Sequence, residues 1–368
     1  MKKIFTVLTS IALTFALSFS AAFANDDALM KSQNYLKTIT LDSPDAVIAY
    51  EATGMEADYK ADALLNNFKE TDYVTASYGD LAKSIIAISL LGENPKDFNN
   101  TNLVEILENR VQEDGTLTND VNGGCGATIW TLMALETVNS PKVKAVADKL
   151  STMAMDNGAY WYEYQGQNAD LDTTGWAMEA LSVAGRSTYK AAISKAYIFV
   201  QSKLNSTDGY YDNWGGNADT QTCVLEGLSV AGYTLDTNAY NYLLSYQNED
   251  GTFNALNYST GQLEPNAYAS VEGARALGVI NNGSFVLKAR QDYTKTTTPV
   301  VTEPETPTKP TKPSTTTPAV KPETTTTEPK KETVKVVNTG DNTNVMAYVV
   351  AAIAAVGVIV LVIKSKKK

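Results

Sequence analysis

The sequence predicts an all-α domain in which six pairs of helices close into a ring. The main observation is an internal repeat, because residues 170–185 align with residues 217–232 and both contain Leu-Ser-Val-Ala-Gly. Equivalent points lie at 54, 92, 139, 185, 232 and 278, so successive units are 38 to 47 residues apart. A fixed period of this size is typical of repeat architectures.

Each unit also contains a turn between two helical patterns. The turns are Asp114-Gly115, Asp156-Asn157-Gly158, Asp208-Gly209 and Asp250-Gly251. The helix before each turn carries the charge, whereas the helix after it is apolar almost all round, as a buried helix is. A glycine or asparagine closes most of these second helices. Six buried and six exposed helices indicate an α6/α6 ring.

The N-terminal residues 1–24 have the parts of a secretory signal peptide. Lys2 and Lys3 precede an apolar stretch, and Ala22-Phe23-Ala24 supplies the small residues of a cleavage site. At the other end, residues 345–363 carry no charge and are long enough to cross a bilayer. The basic residues 364–368 then predict a cytoplasmic tail. We therefore expect export, followed by attachment at the cell envelope.

Residues 294–335 are mostly Thr, Pro, Lys and Glu, a composition that predicts a disordered stalk. The segment 336–341 ends in Thr339-Gly340-Asp341. Followed by the apolar helix and basic tail, it resembles the sorting signal of Gram-positive surface proteins, which a sortase cuts between Thr and Gly and joins to peptidoglycan. Val336 and Val337 stand where the usual signal has Leu and Pro. Wall attachment and a plain membrane anchor both stay open.

The folded part, residues 25–293, is strongly acidic. Residues 25–292 contain 35 acidic residues against 17 basic ones, a formal charge of −18. Such a surface repels nucleic acid, and it favours a neutral or cationic ligand, such as a glycan or a small molecule. The chain contains no histidine, which excludes a Ser-His-Asp triad and His-ligated zinc. We expect no cofactor and no metal. Cys125 and Cys223 are the two cysteines, and they could pair.

Two motifs resemble the repeats of the terpenoid cyclase and protein prenyltransferase superfamily, the squalene cyclase repeats. They are Gln-x-x-Asp-Gly-x-Phe at 247–253 and Asp-x-Asp-Thr-Thr at 170–174. The resemblance covers essentially all of the folded part and implies an α6/α6 toroid. It does not imply one activity, because proteins of this superfamily differ in function.

The activities found on such toroids can be tested on the residues. Asp172 stands where a cyclase has its proton-donating Asp, but Thr173 replaces the last Asp of that motif. Alternatively, Asp172 and Asp219 cap the fourth and fifth inner helices, and their recurrence favours this interpretation. The prenyltransferase zinc site requires a His. The thioester of complement-type domains requires a Gln where this chain has Thr128 after Gly124-Cys125-Gly126.

Three glutamates occupy equivalent places on inner helices: Glu179, Glu226 and Glu272. A Glu on a buried helix needs a polar cavity or a partner. These carboxylates either line the lumen of the ring, where they would favour a cation or act as acids, or bond backbone and Tyr groups between helices. Both interpretations stay open.

The loops before the inner helices are aromatic, and parallel inner helices would gather them at one end of the ring. Tyr160 and Phe253 are expected to fill space between helices. The predicted ligand-binding residues are Trp161, Tyr162, Tyr211, Trp214, Asp219 and Glu272. The favoured function is a surface-displayed, non-catalytic binding or adhesion module. The alternatives are an enzyme acting on a polysaccharide or isoprenoid through Asp172, Glu179 and Glu226, and a structural spacer.

Overall fold

A computed structural model of the 368-residue chain describes residues 26–57, 62–120, 123–162, 167–211 and 217–297. These residues all belong to a first compact unit, 1–302, and a second unit comprises 303–368. The predicted signal peptide, sorting motif with Thr339 and Gly340, transmembrane segment and basic tail lie outside the described residues. So does nearly all of the predicted stalk.

The described part of the chain is mostly helical, as predicted. Thirteen α-helices lie in it, and the first twelve form six pairs in sequence order. The odd-numbered helices of the pairs are α1 (Asp26–Leu36), α3 (Asp62–Glu70), α5 (Leu103–Glu108), α7 (Val143–Met153), α9 (Lys190–Gln201) and α11 (Thr237–Ser245). The even-numbered ones are α2 (Pro44–Ala52), α4 (Tyr78–Leu90), α6 (Cys125–Thr137), α8 (Leu171–Gly185), α10 (Ala218–Ala231) and α12 (Ala267–Asn282).

The even-numbered helices form a closed cycle of contacts, and we call them the ring helices. Each of α2, α4, α6, α8 and α10 packs against the next in order, and α12 packs against α2. Helices α1, α5, α7 and α9 each contact two neighbouring ring helices, and α11 contacts α10. The ring helices are buried along nearly their whole length, which explains why they are apolar all round.

The closest helix contact is that between α8 and α10, and glycine makes it possible. A Cβ on Gly227 would lie 2.1 Å from the carbonyl oxygen of Gly175, and one on Gly175 would lie 2.3 Å from that of Cys223. The two backbones therefore touch directly, with no side chain between them.

The Asp-Gly turns join neighbouring units. The glycine of each turn has a positive φ, and three of them place their Cα against a backbone carbonyl of the next odd-numbered helix. Gly251 does this against Lys31 of α1, which connects the last unit to the first. Gln247 also donates from Nε2 to the Ala28 carbonyl at 2.9 Å. The ring is thus closed at its outer surface as well.

The predicted capping residues need correction. The N-cap of α8 is Asp170, whose side chain accepts from the Thr173 N–H, and the N-cap of α10 is Asn217. Asp172 and Asp219 lie in the first turn instead. Each helix begins one residue before these aspartates, so the Asx residue two positions upstream is the one that reaches the free N–H groups.

Gly278, the repeat point of the sixth unit, does not close its helix, because α12 continues to Asn282. Gly278 lies inside the helix, where a Cβ would approach the Ala52 carbonyl carbon to 2.5 Å. Its role is close packing of α12 on α2.

Two further features were not predicted. Three short antiparallel pairs lie in loops: β1 (Tyr160–Trp161) with β2 (Ala169–Asp170), β3 (Leu204–Asn205) with β4 (Gly209–Tyr210), and β5 (Phe253–Asn257) with β6 (Gln262–Asn266). A thirteenth helix, α13 (Phe285–Thr297), follows the last pair and packs on α2, α4 and α6. No helix among the described residues combines the length and apolar character needed to cross a membrane.

Candidate functional site

One set of equivalent residues forms a layer inside the ring. Its members lie nine residues before the six repeat points. In chain order they are Asp45, Lys83, Trp130, Trp176, Cys223 and Ala269. The Lys83 Nζ lies 2.9 Å from Asp45 and 4.7 Å from the centre of the Trp130 ring. Trp130 and Trp176 meet edge to face at 5.9 Å. The first four members therefore contact one another in order around the ring.

A cavity of about 610 Å³ lies over this layer, at the N-terminal ends of the ring helices. Its aromatic lining comes from four ring helices and one loop: Tyr78, Trp130, Trp176, Tyr268 and Tyr162. Asp80, Lys83, Arg110 and Asp120 are the charged residues of the lining. Arg110 is engaged with the backbone, since it donates to the carbonyls of Ala76, Tyr73 and Val74.

The rim of this cavity is open to solvent. Tyr162 is 51% exposed and Tyr268 is 53% exposed, whereas Trp130 is buried. Aromatic faces at an open cavity with a few polar groups are typical of a ligand-binding site.

A second layer, six residues before the same repeat points, holds the three predicted glutamates. Its members are Ile48, Ile86, Met133, Glu179, Glu226 and Glu272. Arg275, three residues after Glu272, is fully buried beside them. Its Nε and Nη2 donate to the two oxygens of Glu226 at 2.8 and 3.1 Å, and Nη2 lies 3.6 Å from Glu272. Glu226 therefore has a partner on the neighbouring helix, and this partner is an arginine rather than the backbone or Tyr group that was predicted.

Glu179 is less well compensated. Its side chain is 0% exposed, it accepts from the Ser284 Oγ at 3.3 Å, and its Oε2 has no hydrogen-bond partner among the described residues. Burial, followed by the nearby Glu226 carboxylate, raises the pKa of Glu179 to about 8. A proton on this carboxyl is thus retained well above the usual range for Glu.

The first-turn aspartates belong to the same cluster. The Oδ1 atoms of Asp172 and Asp219 are buried without a hydrogen-bond partner in the described part of the chain. Burial, then the charge of Glu272, raises the pKa of Asp219 to about 6. Burial, then the charge of Asp170, raises the pKa of Asp172 well above its ordinary value. We call Asp172, Glu179, Asp219, Glu226 and Glu272 the carboxylate cluster.

The carboxylate cluster lies behind the aromatic wall of the cavity. Trp176 is four residues after Asp172 and three before Glu179, so the three share one face of α8. Tyr268 of the wall is four residues before Glu272, so the two share one face of α12. Burial raises the pKa of Glu272. None of the five carboxylates is itself among the residues that line the cavity. Within the described ranges, no group of three metal-ligating side chains is arranged to hold a metal ion.

The other predicted site residues divide as follows. Tyr162 lines the cavity, whereas Trp161 lines a neighbouring one of about 520 Å³. Tyr211 is exposed and lines neither, and Trp214 lies outside the described residues. Tyr160 and Phe253 are fully buried, as predicted. Cys125 and Cys223 are buried and form no disulfide.

Sequence reasoning missed Trp130, Trp176, Tyr78, Tyr268 and Arg275. Two of them carried a usable signal, because Trp130 and Trp176 occupy the same position in consecutive repeats. Arg275 is also conspicuous, as the one charged residue besides Glu272 in α12. The predicted aromatic residues of the site were on loops, whereas helices provide most of the wall.

Comparison with known proteins adds no family assignment. No family model matches this chain. The search of curated proteins also found no match.

Proposed function

We propose that this chain is a cell-surface-displayed, non-catalytic ligand-binding module. In this proposal the ring is an α6/α6 toroid like that of terpenoid cyclases, and the two ends of the chain serve export and anchoring. The observation that carries the binding function is the cavity of about 610 Å³ walled by Tyr78, Trp130, Trp176, Tyr268 and Tyr162. It is large enough to hold a small ligand, and its faces suit a flat or cationic one.

An enzyme is the second candidate, and the raised pKa of Glu179 favours it. A carboxylic acid kept protonated near neutral pH is what a general acid requires. However, a general acid must also reach its substrate, and neither Glu179 nor Asp172 is among the cavity-lining residues. The charged lining also suits an isoprenoid poorly. We therefore favour binding over catalysis.

A spacer is the third possibility, and it requires a lumen filled by side chains. Helix α13 does cover one side, where Phe285 stacks on Trp130 at 6.4 Å. The opposite end, at the N-termini of the ring helices, keeps its cavity. This difference between the two ends supports a binding role.

The test is a binding screen of the secreted domain against glycans, amines and lipid headgroups. The double substitution Tyr162→Ala with Tyr268→Ala should abolish binding of any hit, because both rings stand at the rim and their removal leaves the core intact. Tyr258→Ala is the matched control, since Tyr258 is 88% exposed on a hairpin and does not line the cavity. Equal binding by the double variant and the wild type would refute the cavity as the site.

A further inference from the structure

The carboxylate cluster has more negative charge than its surroundings compensate. Its five carboxylates come from α8, α10 and α12, and one cation, Arg275, forms ion pairs with them in the described part of the chain. Lys83, the nearest other cation of the layer, is already paired with Asp45. Asp172, Glu179 and Asp219 form no ion pair among the described residues, and each keeps a buried oxygen without a donor.

Helix dipoles stabilise part of this negative charge. Asp172 and Asp219 are in the first turns of α8 and α10, where the positive end of a helix stabilises a carboxylate. Glu179 and Glu226 lie two turns further in and Glu272 is the sixth residue of α12, so all three lie beyond the first turn, where the helix dipole acts most strongly. Three buried glutamates therefore share one arginine, which leaves an excess of two negative charges when all are ionised.

The cavity wall in front of these glutamates consists of rings whose faces attract cations. Trp176 and Tyr268 belong both to the wall and to the helix faces that carry Glu179 and Glu272. The layer already contains one such contact, because the Lys83 ammonium lies 4.7 Å from the Trp130 ring centre. A cation in front of an aromatic face with carboxylates behind it gains both ring attraction and charge attraction.

We propose, building on the binding function above, that the cavity takes an organic ammonium ion. The ammonium lies against Trp176 and Tyr268, and Glu179, Glu226 and Glu272 supply the attraction from behind these rings. An anion is repelled by the same charges, and a neutral ligand of equal shape gains the ring contacts alone. Preference for a cation over its neutral isostere is therefore the defining property of the site.

Ligand binding is coupled to protons in this arrangement. Protons on the carboxylate cluster neutralise the charge that attracts the ammonium, so the two compete. The groups that face Glu179 are Glu226, Arg275 and Ser284, and none of these supplies a second cation. The groups that face Glu272 are Arg275, Tyr268, Asp45, Lys83, Asp172, Asp219 and Glu226. Affinity for the ammonium should consequently rise between pH 6 and pH 8.

The experiment compares cations with neutral isosteres by calorimetric titration at pH 8. Choline is paired with 3,3-dimethylbutan-1-ol, which replaces the charged nitrogen by carbon. Capped lysine is paired with capped Nε-acetyl-lysine, so that the two arms separate a quaternary headgroup from the primary ammonium of a polypeptide. In at least one arm we expect the cation to bind about tenfold or more tightly than its partner.

Two variants link the preference to the cluster. Glu179→Gln and Glu272→Gln keep the side-chain shape and remove the charge, so each should weaken cation binding about tenfold and leave the isostere unaffected. Glu113→Gln, at an exposed position, is the matched control and should change neither.

The outcomes separate this inference from the function on which it rests. If cation and isostere bind equally, or if both glutamate variants keep the full preference, the inference fails and the binding function stands. The inference also fails, and the binding function stands, if neither cation binds but an uncharged ligand does and loses its binding in the double variant Tyr162→Ala with Tyr268→Ala. If no ligand of any class binds, both proposals fail.

Discussion

The first three and the last three repeat units use the same positions for opposite purposes. In the second layer, units one to three place Ile48, Ile86 and Met133, all fully buried, where units four to six place Glu179, Glu226 and Glu272. The apolar half of the ring is the half on which α13 packs. In the charged half, the glutamates lie near one another, and Arg275 is the cation that pairs with two of them among the described residues. The same position of the repeat therefore holds an apolar packing residue in the first half of the ring and a buried carboxylate in the second half.

The third layer, three residues before the repeat points, extends this comparison. Units one and three have Glu51 and Glu136 there, and α13 neutralises both, since Lys288 lies 2.5 Å from Glu51 and Arg290 pairs with Glu136. The cations of these pairs are more than one third exposed. Glu51 and Glu136 of the first half are buried, but each pairs with a partly exposed cation of α13. In the second half the cation that pairs with Glu226 and Glu272, Arg275, is itself buried.

Removing one arginine from each half should give the largest difference. Arg275→Met leaves Glu226 and Glu272 buried without their cation, and we expect it to lower the free energy of unfolding by about 3–5 kcal/mol. Arg290→Met removes a partly exposed cation from the buried Glu136 and should cost less, about 1–2 kcal/mol, because water can reach the place that Arg290 leaves. Urea denaturation of both variants at pH 7 measures the two costs.

The cause of the Arg275 effect can be separated from lost packing. Adding Glu226→Gln to Arg275→Met removes one of the stranded charges, so the double variant should be more stable than Arg275→Met alone. Equal costs for Arg275→Met and Arg290→Met, or no recovery in the double variant, would contradict the difference between the halves.

The tightest helix contact also belongs to the second half. Gly227→Ala places a methyl group 2.1 Å from the Gly175 carbonyl oxygen, and the resulting separation of α8 and α10 should cost about 2–3 kcal/mol. Gly79→Ala in the first half is the control, because the nearest atom to the new methyl is the Ser77 Oγ at 3.9 Å. Thermal unfolding should show a marked loss for the first variant and little change for the second.

The comparison of halves was partly visible in the sequence. The repeat predicted six helix pairs and the equivalence of Glu179, Glu226 and Glu272, because equivalent residues in a repeat lie on equivalent faces. Asp170 and Asn217 show where this reasoning was too coarse. The Asx residue and the following Asp are both plausible caps, and where the helix starts decides between them.

Other features depend on contacts that no local pattern encodes. Helix α13 buries Phe285, Val286, Ala289 and Tyr293, and it also pairs with the distant Glu51 and Glu136. The aromatic wall combines Tyr78 and Tyr268, which are 190 residues apart in sequence. Closure of the ring brings them together, so they become recognisable as a set only in the fold.

The pH dependence of stability should distinguish the two halves of the ring. The expected change is the smallest of those predicted here, but it can be assigned to a single carboxyl group. The pKa of Glu179 is raised to about 8 in the folded protein from an ordinary value of 4.5. Between these two values the folded state keeps a proton that the unfolded state has lost, so stability falls as pH rises. The full slope is 1.36 kcal/mol per pH unit, so the free energy of unfolding should decrease by up to about 2 kcal/mol between pH 6 and pH 8.

Glu179→Gln is the variant that decides whether this slope arises in the charged half. The amide cannot ionise, so the variant should already be more stable than the wild type at pH 6, more stable by a larger margin at pH 8, and should lose less stability than the wild type between these two pH values. Glu113→Gln should keep the wild-type slope, because Glu113 is exposed. Urea denaturation at pH 6, 7 and 8 measures all three proteins. A wild-type slope retained in Glu179→Gln would mean that this carboxyl is ionised throughout, and that Arg275 compensates the cluster more fully than its hydrogen bonds to Glu226 indicate.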